Sequence, residues 1–540
     1  MRGSGMCATG RSFVLGVATA LTMLLVAVFA PQGASAQVTA FKQAVAENAA
    51  DDDDIAAFYR ENAYVPLWTG DGEEDRRRRQ ALIQAIGTAG AHGLPVERYD
   101  ADGLLDTMRS ARTPRDLGRV EVLMSRTFLE LARALQTGIV KPSEIDSDIK
   151  REVPYRDRTG LLAEFADSSP TNFFRSLPPQ TNEYARLMKE KLRLERLADE
   201  GGWGRKVAVG SLGPGDRGNA VVALRDRLIA MGFLDRSSSL VYDTRLEEAV
   251  RSFQQAHGLE EDGVAGGETM RQINTPIGER LKSLMVAMER ERWLNRDRGT
   301  RHVLVNLTDF SARIVDRDKV TFRTRAVVGM NAHDRRTPEF SDEIEHMIIN
   351  PIWHVPRSIV VGEYLPQMQA NPAAAGHLRL YRGGQQISRA GVNFNAYNAR
   401  TFPFDLKQPP SASNALGLVK YMFPNKYNIY LHDTPTKHLF QRNVRAYSHG
   451  CIRLHQPFEF GYTLLARQRD DPKRYFDRIK NSGQRTQVDL DQHVPVHIIY
   501  RTAFTTARGQ AQYRKDVYGR DARIWNALSR AGVSLRSVRG

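Results

Sequence analysis

The sequence predicts a multidomain α+β protein in which helical segments precede a mainly β segment. Residues 55–200 carry apolar side chains at helical spacing, whereas residues 301–329 alternate apolar and polar side chains as strands do. A glycine-rich stretch with short helical patterns lies between these two regions. A chain of 540 residues has room for three or four domains of this kind.

The N-terminal segment is typical of an exported protein. A positively charged start is followed by an uncharged, mostly apolar run at residues 12–30. The small residues at 34–36 fit the rule for signal peptidase, so residues 1–36 are predicted to be a cleaved signal peptide. A retained membrane anchor is the alternative, because an apolar run of this length just spans a bilayer. Under either alternative the rest of the chain is exported.

Cysteine usage singles out one thiol. The chain contains 2 cysteines, Cys7 and Cys451, and signal cleavage removes the first. A single cysteine cannot form a disulfide within one chain, although an oxidising compartment favours disulfides. Cys451 is therefore a candidate reactive group, with inert packing as the alternative.

The charge of the chain limits its partners. The formal net charge is +15 and the pI is near 9.8. A basic protein is attracted to anionic polymers and membrane surfaces. Nucleic acid is not an expected partner outside the cytoplasm, so cell-wall polymer is favoured, and the membrane is a partner only if the signal segment is retained.

Residues 37–205 are predicted to form a helical scaffold domain. Apolar side chains recur at helical spacing in residues 119–136 and again in 182–200. Ser147 and Lys150 match the S-x-x-K pattern of penicillin-binding proteins. The S-D-N and K-T-G motifs that accompany this pattern are missing from the sequence, so we interpret the match as chance.

A glycine pattern follows the scaffold. Gly213, Gly215 and Gly218 form G-x-G-x-x-G, and Asp235 lies twenty residues beyond Gly215, as in a dinucleotide site. However, no βαβ pattern continues after it, so the nucleotide interpretation is rejected.

The segment is better explained as one compact unit of two short amphipathic helices and glycine turns. The predicted core consists of Leu224, Leu228, Phe233, Val250, Phe253, Leu259 and Val264. The strings AVVALRDRLIAMGF, AVRSFQQAHGL and DGVAGGET resemble the peptidoglycan-binding domain of wall enzymes. This resemblance implies that residues 206–275 bind wall polymer, and packing against the scaffold is the alternative.

Strand patterns begin after a connecting helix at residues 276–298. Turns are predicted at Asp309 and at residues 316–319, with a further strand within 344–356 and a closing strand at 494–504. These patterns place a mainly β domain at residues 299–504.

Two segments of the C-terminal half show no clear periodicity. Residues 357–413 are rich in Gly, Pro, Asn and Ala, so we expect a loop-rich insertion that is either a lid over a site or a surface elaboration. Residues 505–540 are expected to be a C-terminal tail and carry no motif that we can interpret.

The surroundings of Cys451 favour nucleophilic chemistry. A thiol is mostly protonated at neutral pH and needs a base, and His432 and His449 are both candidates. Gly450 allows close backbone approach, so a turn here can direct N–H groups at an oxyanion. Arg453 adds positive charge.

Zinc binding is the rival chemistry for the same residues. The possible ligands are His432, His438, His449, Cys451 and His455. Their spacing matches none of the common zinc motifs, so no metal is predicted. His438 and His455 are expected to be surface or packing residues.

One spacing in this region resembles the catalytic signature of the L,D-transpeptidases, which have the YkuD-type fold: His432, fifteen intervening residues and then SHGC. The strings VVGMNAHDRRTPEF, NPIWHVPRSI, NALGLVKYMFPNKYNIYLHDTP and YSHGCIRL resemble the large Gram-negative branch typified by YcbB. That branch combines a helical scaffold, a peptidoglycan-binding domain and a catalytic domain with an insertion over the site. The resemblance implies a periplasmic enzyme without a metal or organic cofactor.

The resemblance also implies a role for each residue of the motif. Cys451 is the expected nucleophile and His432 its base, oriented by the carbonyl of Asp433. The side chain of Asp433 is an alternative means of holding the ring.

The remaining motif residues have supporting roles by the same resemblance. Ser448, His449, Gly450 and the Cys451 amide are expected to shape the oxyanion hole. Arg453 is expected to support the site and to face a substrate carboxylate.

The implied reaction begins with a peptidoglycan tetrapeptide stem. Attack on its third residue expels D-Ala and leaves a thioester, which an amine of another stem then accepts. Water, a free D-amino acid or an envelope-protein amine are alternative acceptors, and a non-catalytic wall-binding protein is a further alternative. Acylation of the cysteine by carbapenems is also implied.

Other cysteine enzymes fit the sequence less well. In a papain-like or NlpC-type peptidase the histidine follows the cysteine, and the sequence context of a sortase is missing.

Overall fold

The computed structural model describes residues 32–535. The predicted signal peptide lies mostly outside the described residues, and residues 32–36 form the first turn of a helix. Within the described range, no helix is both long enough and apolar enough to cross a membrane.

The first part of the chain is helical, as the apolar periodicity predicts. Its longest helix begins at Pro114, where the Thr113 side chain accepts a hydrogen bond from the N–H of Asp116, and the Asp116 side chain accepts one from the N–H of Thr113. The helices of this part are α1 (Gln32–Asn48), α2 (Asp53–Glu61), α3 (Glu73–Thr88), α4 (Ala101–Ser110), α5 (Pro114–Thr137), α6 (Pro142–Ile145), α7 (Arg158–Ala166), α8 (Pro170–Ser176) and α9 (Asn182–Asp199).

The small domain that follows is also helical. It contains α10 (Asn219–Ala230), α11 (Thr244–His257) and the short α12 (Gly267–Ile273). The sequence predicted only two helices, because seven residues are too short for a periodic signal. Four of the predicted core residues are buried, whereas three are only partly buried: Phe233, Leu259 and Val264.

The glycine pattern has a structural role in this domain. The N–H of Gly215 donates to the carbonyl of Tyr242, and the N–H of Gly218 donates to that of Leu240. These amides are therefore occupied and do not form a phosphate cradle, in agreement with the rejected nucleotide site.

Helix α13 (Ile277–Trp293) connects the small domain to the mainly β part. The strands are β1 (Arg301–Asn306), β2 (Ser311–Asp316), β3 (Lys319–Gly329), β4 (Phe340–Ile349), β5 (Trp353–His354), β6 (Arg379–Arg382), β7 (Gln385–Ile387), β8 (Asp405–Gln408), β9 (Val419–Met422), β10 (Leu431–His432), β11 (Ala446–Ser448), β12 (Ile452–Leu454), β13 (Thr486–Ile499), β14 (Ala503–Thr505) and β15 (Ala511–Tyr513). The helices of this part are α14 (Arg357–Ile359), α15 (Leu365–Ala370), α16 (Pro457–Leu465), α17 (Pro472–Asn481) and α18 (Arg520–Arg530). The predicted fold class is confirmed.

Nine strands form the main sheet, in the order β11-β3-β12-β10-β9-β4-β13-β1-β2. Because β2 also pairs with β3, the sheet closes on itself around an apolar core. β10 and β12 are parallel neighbours, and this pairing brings together the two halves of the histidine and cysteine motif.

The insertion is a folded unit and not the loop-rich segment that the sequence predicted. β5, β8, β6 and β7 form a separate four-stranded sheet in that order, with its own apolar core. Its strands have two to four residues, which is too short for alternation to be visible in the sequence. The unit begins with β5, ahead of the predicted boundary.

The predicted C-terminal tail is also folded as far as residue 535, and it contains the hairpin β14–β15 and helix α18. A buried ion cluster joins α18 to the rest of the molecule. The Glu339 carboxylate lies 2.8 Å from the Arg290 guanidinium and 3.0 Å from that of Arg520. Arg290 also contacts Asp521 at 2.9 Å. Burial tends to lower the pKa of Arg290, but the charges of Glu339 and Asp521 raise this pKa above its usual value.

We predict that Glu339→Gln destabilises the whole chain. The substitution leaves two buried guanidinium groups short of a negative partner, which costs about 3–5 kcal/mol. Thermal unfolding followed by circular dichroism measures the effect. Glu343→Gln is the matched control, since Glu343 is an exposed carboxylate on β4 and its loss costs under about 0.5 kcal/mol. Equal stability of the two variants would contradict the prediction.

Candidate active site

Strand pairing places the predicted catalytic residues side by side. His432 ends β10 and pairs with Arg453 of β12, while Cys451 directly precedes β12. Residues two apart in an extended chain share a face, so Cys451 and Arg453 lie on the same side of the sheet. Lys420 of β9 pairs with His432 from the opposite neighbour. Two cations therefore flank the histidine.

His432 is held in one tautomer. Its ring is 4% exposed, and Nδ1 lies 2.5 Å from the carbonyl oxygen of Asp433, to which it donates. Nε2 is then the basic nitrogen. Burial, together with the nearby charge of Arg453, lowers the pKa of His432 to about 3. The imidazole is therefore neutral at physiological pH and able to accept a proton.

The side chain of Asp433 does not hold the ring. Its carboxylate accepts hydrogen bonds from the N–H groups of Leu418 and Thr434, at 2.9 and 2.7 Å. Lys437 contacts the same carboxylate at 2.6 Å. The sequence left open whether the carbonyl or the side chain of Asp433 orients His432. In the structure the carbonyl contacts the imidazole, and the carboxylate contacts the neighbouring loops.

Ser448 fixes the turn that carries the thiol. Its hydroxyl donates to the carbonyl of Cys451 at 2.5 Å and accepts from the N–H of Gly450 at 3.1 Å. Gly450 has φ of +114°, a conformation that favours glycine, and its carbonyl accepts from the Thr337 hydroxyl at 2.7 Å. The Gly450 N–H is thus occupied, so the Cys451 N–H is the better candidate for an oxyanion donor.

His449 faces the insertion. Its Nε2 lies 2.6 Å from the Glu363 carboxylate, which also contacts Arg335 at 2.9 Å. His432 and His449 were both candidate bases, and this contact leaves His432 as the better one. Glu363 was missed by the sequence analysis, because it lies in the insertion and no local pattern marks it.

The thiol is partly exposed and lies in a positively charged environment. Its Sγ is 3.4 Å from the carbonyl oxygen of Asn428. Burial raises the pKa of Cys451, and Tyr430, Arg453 and Lys420 oppose this rise. The thiol is therefore protonated at rest, in contact with groups that stabilise the thiolate.

Lys420 and Tyr430 were also missed by the sequence analysis. Both lie within the string NALGLVKYMFPNKYNIYLHDTP, but only the pairing of β9 with β10 brings Lys420 next to His432. Arg453 donates to the Thr436 hydroxyl at 3.0 Å, and its buried Nε has no partner among residues 32–535. Its guanidinium thus retains a donor for a further acceptor.

A cleft of about 820 Å³ opens above the thiol. Its lining includes Cys451, His432 and Lys420 of the main sheet region, together with Trp353 and Glu363 of the insertion. Of the two interpretations of the insertion, this position favours a lid over a surface elaboration. A cleft of this size holds a peptide segment.

The other histidines of the motif region lie apart from this cleft. His438 is exposed on the 3-10 turn Lys437–Gln441. His455 packs against Phe440, with ring centroids 5.0 Å apart. In the part of the chain that the structure describes, no group of three or more His, Cys, Asp or Glu side chains is arranged to hold a metal ion.

Three sequence families match this chain. Residues 53–190 match a scaffold domain, and residues 217–273 match a family described as "Putative peptidoglycan binding domain". Residues 300–498 match the YkuD family, described as the L,D-transpeptidase catalytic domain.

The chain also resembles individual proteins. A "Putative L,D-transpeptidase" of Haemophilus influenzae is 27% identical over 225 residues, which are 41% of this chain and 45% of that protein. The crystal structure of residues 123–326 of an L,D-transpeptidase from Xylanimonas cellulosilytica is 14% identical, with TM-score 0.17, covering 55% of this chain and all of that one. The Ldtfm-avibactam carbamoyl enzyme is 11% identical, with TM-score 0.18, covering 58% of this chain and 98% of that one.

The alignment to the curated relative spans less than half of that protein. The family matches cover the helical, small and mainly β parts that the fold contains. The chain therefore contains an L,D-transpeptidase catalytic domain of the YkuD family, preceded by a scaffold domain and a peptidoglycan-binding domain.

Proposed function

We propose that the protein is a periplasmic peptidoglycan L,D-transpeptidase whose acyl carrier is Cys451. The observation that carries this proposal is the presence of a protonated thiol and a neutral, carbonyl-oriented imidazole in the lining of one cleft. Nucleophilic catalysis by a thiol requires such a base within the same site. The match to the L,D-transpeptidase catalytic domain supports a peptidoglycan stem as the acyl donor.

The first half of the reaction forms a thioester. His432 Nε2 accepts the thiol proton as Sγ attacks the carbonyl of the third stem residue. The Cys451 N–H and the nearby cations stabilise the resulting oxyanion. The amide bond then breaks, the D-Ala nitrogen takes the proton from His432, and D-Ala leaves.

The second half transfers the acyl group. An amine of another stem attacks the thioester and gives its proton to His432. When the C–S bond breaks, that proton returns to Sγ, so the enzyme is restored. Water, a D-amino acid or an envelope-protein amine would complete the same cycle as acceptor. A stem amine is favoured, because residues 217–273 match the family described as "Putative peptidoglycan binding domain", and polymer bound there would raise the local concentration of stems.

The charge of the cleft fits the donor. Stem peptides carry carboxylates, and Arg453 offers a buried, unpartnered N–H close to the thiol. Arg357 and Arg335 add positive charge at the wall formed with the insertion. We infer that Arg453 binds a carboxylate of the donor and that the Glu363 contact with His449 holds the insertion closed.

We predict that Cys451→Ala abolishes product formation. Purified protein is incubated with a disaccharide tetrapeptide, and the products are followed by mass spectrometry. The wild type should release D-Ala and form a cross-linked dimer, and the variant should lose about 10³-fold or more of the rate. Release of D-Ala without a dimer would indicate hydrolysis, and an unchanged rate in the variant would contradict the role of the thiol.

We predict that replacing His432 slows acylation of the enzyme more than replacing His449 does. His432→Gln removes the base and should lower the acylation rate by about 10²- to 10⁴-fold. His449→Gln and Glu363→Gln each break the same contact and should show similar, smaller losses of about tenfold, with a double variant no worse than either single variant. Stopped-flow acylation measures all four. A larger loss in His449→Gln than in His432→Gln would assign the base to His449.

We predict that alkylation of Cys451 by iodoacetamide accelerates with pH. Because burial raises its pKa, the thiolate fraction should rise about tenfold per pH unit from pH 6 to 8 without a plateau. Lys420→Met should slow the reaction by raising that pKa further, whereas Lys426→Met, on an exposed lysine, should not. Peptide mass spectrometry reads the modified cysteine, and a plateau near pH 6 would contradict a protonated resting thiol.

A further inference from the structure

A second cavity, of about 610 Å³, lies where several parts of the chain meet. Helices α9 and α13 form one side, the small domain forms another, and the turn between β14 and β15 closes a third. Protein interiors are close-packed, so a domain junction that served packing alone would be filled by side chains. The cavity shares no residue with the cleft above Cys451.

Positive charge dominates this cavity. Its cations are Arg186, Lys189, Arg193, Arg280 and Arg508, and the single carboxylate among its lining residues, Glu190, is paired with Arg193 at 2.7 and 2.8 Å. Lys189 and Arg508 are exposed, and neither forms an ion pair or side-chain hydrogen bond within the described residues. Two cations are thus free to bind an anion.

Aromatic side chains form a further wall of this cavity. Phe253 stacks on His257 at 3.8 Å, and His257 stacks on Tyr513 at 5.4 Å. Burial holds the pKa of His257 well below its usual value, so this wall is uncharged. Trp203 also lines the cavity, and its buried indole N–H has no acceptor among residues 32–535. A buried donor left without an acceptor is costly, so this group favours a polar ligand.

We propose that this cavity is a second binding site for the wall polymer and takes an acidic stem peptide. Lys189 and Arg508 bind its carboxylates, the aromatic wall covers its aliphatic part, and the Trp203 N–H donates to a carbonyl. The identity of the ligand rests on the proposed function. Charge complementarity favours an acidic peptide over a neutral glycan, and the concave shape does not fit a membrane surface.

The cavity is built where the small domain packs against the scaffold and the C-terminal hairpin. Arg514 donates to the carbonyl of Ala256 at 2.8 Å and so attaches the C-terminal hairpin to α11. The scaffold, the small domain and the hairpin therefore build the cavity together, and none of them forms it alone. A glycan strand whose stem is held here stays bound to the enzyme between turnovers, which raises the effective concentration of its other stems.

Binding to purified sacculi tests the proposal in the Cys451→Ala background, where turnover cannot occur. Lys189→Ala combined with Arg508→Ala should weaken binding about tenfold at low ionic strength, and the double change to glutamate should weaken it more. Arg474→Ala combined with Arg530→Ala is the matched control: it removes two exposed cations outside the cavity and should change binding less than twofold. Equal binding of the cavity and control variants, or no binding of the parent protein, would overturn the proposal.

Two further readouts separate this site from the catalytic one. Titration with a soluble disaccharide tetrapeptide should change the fluorescence of Trp203, and the change should disappear in Trp203→Phe; a change that persists would place the ligand elsewhere. With Cys451 intact, the cavity variant should release D-Ala from the soluble donor at the wild-type rate but from sacculi more slowly. An inactive wild type would refute the proposed function but not the second binding site, because binding to sacculi tests that site independently of activity.

Discussion

The carboxylate of Glu339, held between two buried guanidinium groups, is the interaction on which the rest of the structure depends. Arg290 brings the connecting helix to it, and Arg520 brings the C-terminal helix. Arg520 also donates to the carbonyl of Thr337, whose hydroxyl donates to the carbonyl of Gly450. An unbroken chain of polar contacts thus runs from the domain junction to the turn that presents the thiol. Removal of one charged group from such a cluster is strongly destabilising, because it leaves a buried charge without its partner.

Burial also sets the protonation of the proposed catalytic pair. It disfavours the imidazolium of His432 and the thiolate of Cys451 alike, so the neutral forms prevail at rest. Arg453 and Lys420 have opposite effects on the two groups, because positive charge stabilises a thiolate and destabilises an imidazolium. The proton therefore moves when the substrate carbonyl is attacked, and not before.

Local sequence patterns predicted much of this site. His432 and the SHGC turn are close in the chain, and a single parallel strand pair brings them together. Helical periodicity likewise predicted the scaffold. Lys420 and Glu363 could not be predicted, because one depends on strand register and the other on how the insertion packs. The insertion itself was taken for loops, since its strands are too short to show alternation.

The C-terminal segment illustrates a different limit. Its role depends on contacts with residues hundreds of positions away, and no motif within it signals them. Tyr518 donates to the carbonyl of Gly329, next to the strand that flanks the catalytic turn, and Arg514 attaches the hairpin to the small domain. A segment without a recognisable motif thereby contacts both the mainly β domain and the small domain.

The most direct test of the account is the mass of the protein itself during a single turnover. The chain is mixed with an excess of disaccharide tetrapeptide, quenched in acid at short times and examined intact and after digestion. We expect a transient adduct equal to the donor less D-Ala, located on the Cys451 peptide and removed by hydroxylamine, as a thioester is. Release of D-Ala with no adduct at any time, or an adduct on another residue, would contradict the assignment of Cys451 as the acyl carrier.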